Sequence, residues 1–130
     1  MRELKRILHV EDVPSIQVIT RIALEKLGGF EVLSCPSGQA ALEQVEAFAP
    51  QLILLDVMLP QMDGVELLRQ LAERIDLSDV PVVFLTGNLQ FEEHDELSRL
   101  GMRAVLHKPF DPLQLAARLR TIWEECHHAV

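Results

Sequence analysis

Hydrophobic positions along the chain fall into two alternating textures. Short apolar runs rich in β-branched residues read as strands: Ile7 to Val10, Leu52 to Leu55, Val82 to Leu85 and Ala104 to Leu106, with a weaker fifth at Phe30 to Leu33. These runs show little polar alternation, as expected of strands covered on both faces in a parallel sheet. Between them lie stretches whose apolar residues recur three and four apart. The first carries Ile16, Ile19, Ala23, Leu24 and Leu27 and stops at Gly28-Gly29. Ser37 is placed to cap a second helix carrying Ala41, Val45 and Phe48 and ended by Pro50. Asp63 is placed to cap a third, with Val65, Leu67, Leu68 and Leu71. A more acidic segment, Leu89 to Leu100, predicts a fourth helix stopped by Gly101. Asp111-Pro112 supplies the cap and first position of a fifth, which carries Leu115, Leu119, Ile122 and Trp123.

The strand starts recur every 22 to 30 residues, the length of a βα unit, with no Pro/Gly/Ser-rich linker between them. Five such units with right-handed crossovers predict an open, doubly wound α/β sandwich of three layers. The order 2-1-3-4-5 is a common arrangement of such a sheet, although periodicity alone does not select it.

Composition narrows the function classes. With 130 residues, of which 48% are apolar, the chain suits one domain over residues 1–130, with a core from about 5 to 125 and no separate output domain. The net charge of −8 repels phosphate backbones and anionic membranes, so direct nucleic-acid or membrane binding is not expected. No apolar run approaches the ~20 residues of a membrane span, and the first residues show no long apolar stretch or small-residue cleavage site, so secretion is not expected. Cys35 and Cys126 lack metal-ligand or redox spacing and are expected as free thiols, which fits a cytoplasmic protein. No phosphate-cradling glycine loop, dinucleotide fingerprint, zinc-protease motif or nucleophile elbow is present.

Chemistry-bearing residues collect where ligands bind in open α/β sheets, at the carboxyl ends of the strands. Strand one ends in Glu11-Asp12, strand three in Asp56, strand four in Thr86, and strand five in Lys108 before Pro109; strand two offers only Ser34 and Cys35. In the order 2-1-3-4-5 the carboxylates converge, with Thr86 and Lys108 beside them. Two unit charges ~4 Å apart repel by about 4 kcal/mol at an effective dielectric near 20, so such a cluster calls for a cation. Lys108 offsets one charge. An all-oxygen donor set then suits a hard divalent ion, best Mg²⁺. A carboxylate beside such an ion can attack a phosphoryl group, with the metal, Lys108 and the Thr86 hydroxyl neutralising the transferred oxygens. Singly, these residues have plainer roles: Asp12 can cap helix one and Asp63 helix three. Asp56 is harder to place that way, because it ends a buried-type run where an unpaired carboxylate is costly.

The chain resembles the receiver domains of two-component response regulators over roughly Lys5 to Glu125. The motifs are Val10-Glu11-Asp12, Asp56-Val57-Met58-Leu59-Pro60-Gln61-Met62-Asp63-Gly64, Leu85-Thr86-Gly87 and Lys108-Pro109-Phe110. The resemblance implies a flavodoxin-like fold with strand order 2-1-3-4-5 and a bacterial signalling context. It implies Asp56 as phosphoacceptor for a histidine kinase or phosphotransfer protein, and Mg²⁺ held by Glu11, Asp12, Asp56 and the backbone carbonyl of Met58. Thr86 and Lys108 would bind phosphoryl oxygens, a cis bond would precede Pro109, and Gly64 would relieve crowding. The domain would be regulatory rather than an enzyme, either stand-alone or cut from a longer regulator. Two departures matter. Val105 stands where the family often carries Tyr or Phe, so the usual threonine-to-aromatic coupling is unavailable; Gly87 replaces a frequent alanine and adds backbone freedom.

Other residues have plain readings. His9, His94 and His107 are expected as structural or solvated, and His127-His128 as a frayed end. Glu92-Glu93-His94-Asp95-Glu96 reads as a solvated helix face, with partner selection as the alternative. Met58 and Met62 read as packing residues and Trp123 as the anchor of helix five. The expected function is a Mg²⁺-dependent phosphoacceptor switch that alters affinity for a downstream protein, as a monomer or a phosphorylation-dependent dimer. The rivals are a phosphorylation-independent interaction module and a Mg²⁺-dependent phosphatase; the latter lacks a second Asp two residues after Asp56, where Met58 stands.

Overall fold

The computed structural model describes residues 3–59, 61–87 and 95–127. Five strands, β1 (Arg6–Val10), β2 (Glu31–Cys35), β3 (Leu52–Asp56), β4 (Val82–Thr86) and β5 (Met102–His107), form one parallel sheet. Their order is β2-β1-β3-β4-β5. The helices are α1 (Pro14–Ile22), α2 (Gly38–Phe48), α3 (Gly64–Arg74), α4 (Asp95–Leu100) and α5 (Pro112–Cys126).

Strand side chains alternate between two cores, as the period of two requires. Leu8, Val10, Ile53, Leu55, Val82 and Phe84 pack toward α2 and α3 with Leu42, Leu67, Leu68 and Leu71. Ile7, Leu52, Leu54, Val83 and Leu85 pack toward α5 with Leu115, Leu119, Ile122 and Trp123. β3 and β4 are buried along their whole length, which is why both read as unbroken apolar runs.

Three predicted caps are present. Ser37 Oγ accepts from Ala40 N–H at 3.1 Å, Asp63 Oδ1 from Glu66 N–H at 2.8 Å, and Asp111 Oδ1 from Leu113 N–H at 2.9 Å. Asp12 does not cap α1: the cap position is Val13, with no side-chain bond, and Pro14 follows as a first residue that has no N–H to satisfy. α2 ends at Phe48, before Pro50, with Ala49 left-handed at φ 53°.

The first helix reaches Leu27 as expected, but its last segment, Ala23–Leu27, is a π-turn. The extra residue per turn brings Ala23 and Leu24 onto the core, and the chain then turns at Gly28. A Cβ on Gly28 would meet the Phe30 ring at 2.6 Å, and Arg120 lies over that ring while bonding the Gly28 carbonyl. Phe30 itself precedes β2 rather than starting it. Of the apolar positions with helical spacing, Ile16 is half-buried and Ile19 is 50% exposed, because α1 docks through Thr20 and the π-turn. β5 begins at Met102, two residues earlier than its apolar run, since this edge strand exposes Arg103 and His107. Within Leu89 to Leu100, α4 is described from Asp95; Leu89 to His94 lie outside the described residues, as do Pro60 and His128. Trp123 is buried on the α5 core with its ring against His127, as an anchor should be. Cys35 is buried and Cys126 exposed, both unpaired.

Candidate functional site

Parallel strands end together, so the residues that follow them meet at one sheet edge. Glu11 and Asp12 leave β1, Asp56 closes the adjacent β3, and Thr86 closes β4. One carboxylate oxygen from each of Glu11, Asp12 and Asp56 falls in a group whose atoms lie within 4.8 Å of one another. Glu11 is fully buried, Asp56 is 4% exposed, and Asp12 is half-buried.

Lys108 enters this cluster from the loop after β5. Its Nζ donates to Asp56 Oδ2 at 2.8 Å and to Glu11 Oε1 at 3.0 Å. The strand ladder sets this reach: Lys108 N–H donates to the Thr86 carbonyl at 2.8 Å, and the Lys108-Pro109 peptide is cis. Asp56 Oδ1 accepts from Met58 N–H at 2.9 Å, and Glu11 Oε2 from Val13 N–H at 3.2 Å. Each buried carboxylate is therefore held at both oxygens.

Electrostatics follow from these contacts. Burial pushes the Glu11 carboxyl above its ordinary pKa, against the opposing pull of the Lys108 ammonium. Burial alone would lower the Lys108 pKa, but its hydrogen bonds to Asp56 and Glu11 prevail and raise it. The ammonium stays charged, and three carboxylates with one ammonium leave an excess of two negative charges. A divalent cation matches that excess, and the oxygen-only donor set fits Mg²⁺.

Thr86 is fully buried at the end of β4, one residue beyond Leu85, the register partner of Asp56. Met58 lies on the loop after β3 and is 73% exposed, so its side chain is not the packing residue the sequence suggested; Met62 does pack on the core. A Cβ on Gly64 would lie 2.7 Å from the Asp56 carbonyl oxygen, so glycine is required there. Gly87 faces open space, and steric crowding does not demand a glycine at that position. Val105 is half-buried on β5, beside Phe84 in register, and lines a cavity of about 320 Å³ with His107, Phe110, Gln114 and Arg118.

Sequence reasoning missed one neighbour of the cluster. Gln17 Nε2 donates to the Glu11 carbonyl at 3.1 Å, a contact with no motif to announce it. His9, read from the sequence as structural or solvated, is fully buried on β1, and neither ring nitrogen has a hydrogen-bond partner among the described residues. Burial first, then the Lys108 charge, lower its pKa to about 4, with Asp56 pulling the other way. An apolar pocket of about 380 Å³ also opens between Ile16 and Ile19 of α1 and Lys108, Phe110 and Pro112.

Comparison with known proteins decides the family: residues 7–120 match the family model described as response regulator receiver domain. The chain belongs to that family. This receiver domain is 37% identical over 120 residues to the alkaline phosphatase synthesis transcriptional regulatory protein PhoP of Bacillus subtilis, covering 91% of this chain and 48% of that protein. It is 36% identical over 119 residues to the aerobic respiration control sensor protein ArcB of Escherichia coli, covering 91% of this chain and 15% of that protein. The chain thus spans about half the length of PhoP and far less of ArcB. Among solved structures, chemotaxis protein CheY4 of Vibrio cholerae superposes with a TM-score of 0.82 at 27% identity, over 92% of this chain and 98% of that one. Receiver domains act in two-component systems as phosphorylation switches; they are regulatory rather than classical enzymes, and they generally bind Mg²⁺ at an acidic pocket. Among the described residues, no helix is long and apolar enough to cross a membrane.

Proposed function

We propose that this receiver domain is a Mg²⁺-dependent phosphoacceptor switch in which Asp56 takes a phosphoryl group from a histidine kinase or phosphotransfer protein. The observation that carries the proposal is the Asp56 carboxylate, buried, bonded to Lys108 and flanked by Glu11 and Asp12. Asp56 is the nucleophile: one carboxylate oxygen forms the new O–P bond while the donor's N–P bond breaks, and the donor imidazole leaves with that electron pair. Lys108 then moves its donation from the carboxylate toward a phosphoryl oxygen, and the Thr86 hydroxyl donates to another. Glu11, Asp12, Asp56 and the Met58 carbonyl would hold Mg²⁺, which would supply neutralising charge there. The buried Glu11 orients Lys108 throughout.

The output is a change of affinity for a downstream protein in the cytoplasm. With Val105 on β5, that change does not use an aromatic rotation at this position. The same feature favours the second reading, a receiver-fold interaction module that binds its partner without phosphorylation. Beryllium fluoride, a phosphoryl mimic, tests the site. It should bind one-to-one, only with Mg²⁺ and only with Asp56 intact; binding that survives in Asp56→Asn would overturn the proposal.

A further inference from the structure

The turn from β1 to α1 carries two of the three clustered carboxylates, yet its helix start has no side-chain cap. Val13 occupies the cap position and Pro14 the first helical one. Asp12 is of the capping type but turns to the cluster instead, and no hydrogen bond or ion pair among the described residues holds its carboxylate. The turn is fixed by other means. Glu11 N–H donates to the Cys35 carbonyl at 3.0 Å, Gln17 N–H to the Val13 carbonyl at 2.9 Å, and Val13 N–H to Glu11 Oε2 at 3.2 Å. The remaining bond comes from a side chain: Gln17, half-buried one turn into α1, donates from Nε2 to the Glu11 carbonyl at 3.1 Å.

That carbonyl belongs to the Glu11-Asp12 peptide. Because the peptide is planar, holding its oxygen restrains the plane and with it the positions of the two flanking Cα atoms, from which the Glu11 and Asp12 side chains start. We infer that Gln17 is a positioning residue which aligns the Glu11 and Asp12 carboxylates for a divalent cation, an inference that rests on the Mg²⁺ reading of this site. The need is physical. Lys108 bonds Glu11 and Asp56 but not Asp12, so repulsion among the carboxylates opposes holding Asp12 in the cluster. Restraint of its backbone lowers the reorganisation that binding requires.

Two variants test this: Gln17→Met keeps length and removes the donor, and Gln17→Ala removes the side chain. Titration calorimetry with MgCl₂ alone should show Kd raised about three- to tenfold in both, the scale of one hydrogen bond. Phosphoryl uptake from acetyl phosphate should slow by a similar factor at low Mg²⁺ and return to the wild-type rate at saturating Mg²⁺, which loss of structure alone would not do. An unchanged Kd in both variants, or a slowing that saturating Mg²⁺ does not reverse, would overturn the inference. If the wild type itself binds no Mg²⁺, the reading of the site fails, and this inference with it.

Discussion

Gly64, at the start of α3, leaves no room for a side chain over Asp56. A Cβ there would sit 2.7 Å from the Asp56 carbonyl oxygen and 3.0 Å from Val57 Cα, while Gly64 N–H bonds the Val57 carbonyl at 2.9 Å. Gly64→Ala should therefore push the loop after β3 away from α3 and cost about 1–3 kcal/mol of stability, the usual scale of overpacking. Urea denaturation measures the cost. A wild-type midpoint would mean that the loop yields freely.

Burial of His9 on the first strand should make stability fall with pH in the acid range. The neutral form of His9 is favoured in the folded state, its pKa lowered from 6.5 to about 4. Stability from a depressed pKa is full above the unfolded value and is lost as pH falls through the folded one, here between 6.5 and 4. The lowering corresponds to about 3 kcal/mol. His9→Leu should flatten the fall in stability across that window, as followed by urea unfolding at several pH values. An unchanged slope would contradict the burial argument.

Glu11 carries the opposite sign. Its carboxyl is raised by burial, so the folded state binds its proton more tightly and Glu11 weakens the fold as pH rises above the ordinary carboxyl range. Relative to wild type, Glu11→Gln should gain stability as pH rises above that range without Mg²⁺, and should lose most of its Mg²⁺ affinity. A difference in stability that is constant with pH would count against the assignment.

Which features were legible in the sequence follows from the packing of each element. β3 and β4 are covered on both faces, so Leu52 to Leu55 and Val82 to Leu85 stand out as unbroken apolar runs. β5 is an edge strand with one wetter face, and its first residues, Met102 and Arg103, fall outside the apolar run. Ser37, Asp63 and Asp111 were legible because cap chemistry is local. The Asp12 side chain failed as a cap because clustering with Glu11 and Asp56, a tertiary relation, places it elsewhere. Convergence of Glu11, Asp12, Asp56 and Lys108 needs only strand ends and their order, and that order came from the family resemblance rather than from periodicity. The π-turn and the Gln17 contact have no signature, since the same residues also suit a regular helix.

Val105 lines the cavity between β5 and α5. With the β5–α5 cavity beside it, Val105→Tyr should be accommodated at a change of under about 1 kcal/mol. Phosphoryl uptake should be unaltered, while amide exchange of β5 and α5 should come to depend more strongly on phosphorylation. Equal exchange in both states would mean that the switch bypasses this position.

The central claim is that Asp56 accepts a phosphoryl group with the help of a divalent cation. Intact-protein mass spectrometry after incubation with acetyl phosphate, with and without Mg²⁺, for wild type and Asp56→Asn, tests it most directly. The account predicts the mass gain of one phosphoryl group in wild type with Mg²⁺ and none in the folded variant. The same gain in Asp56→Asn, or none in a folded wild type that binds Mg²⁺, would contradict it.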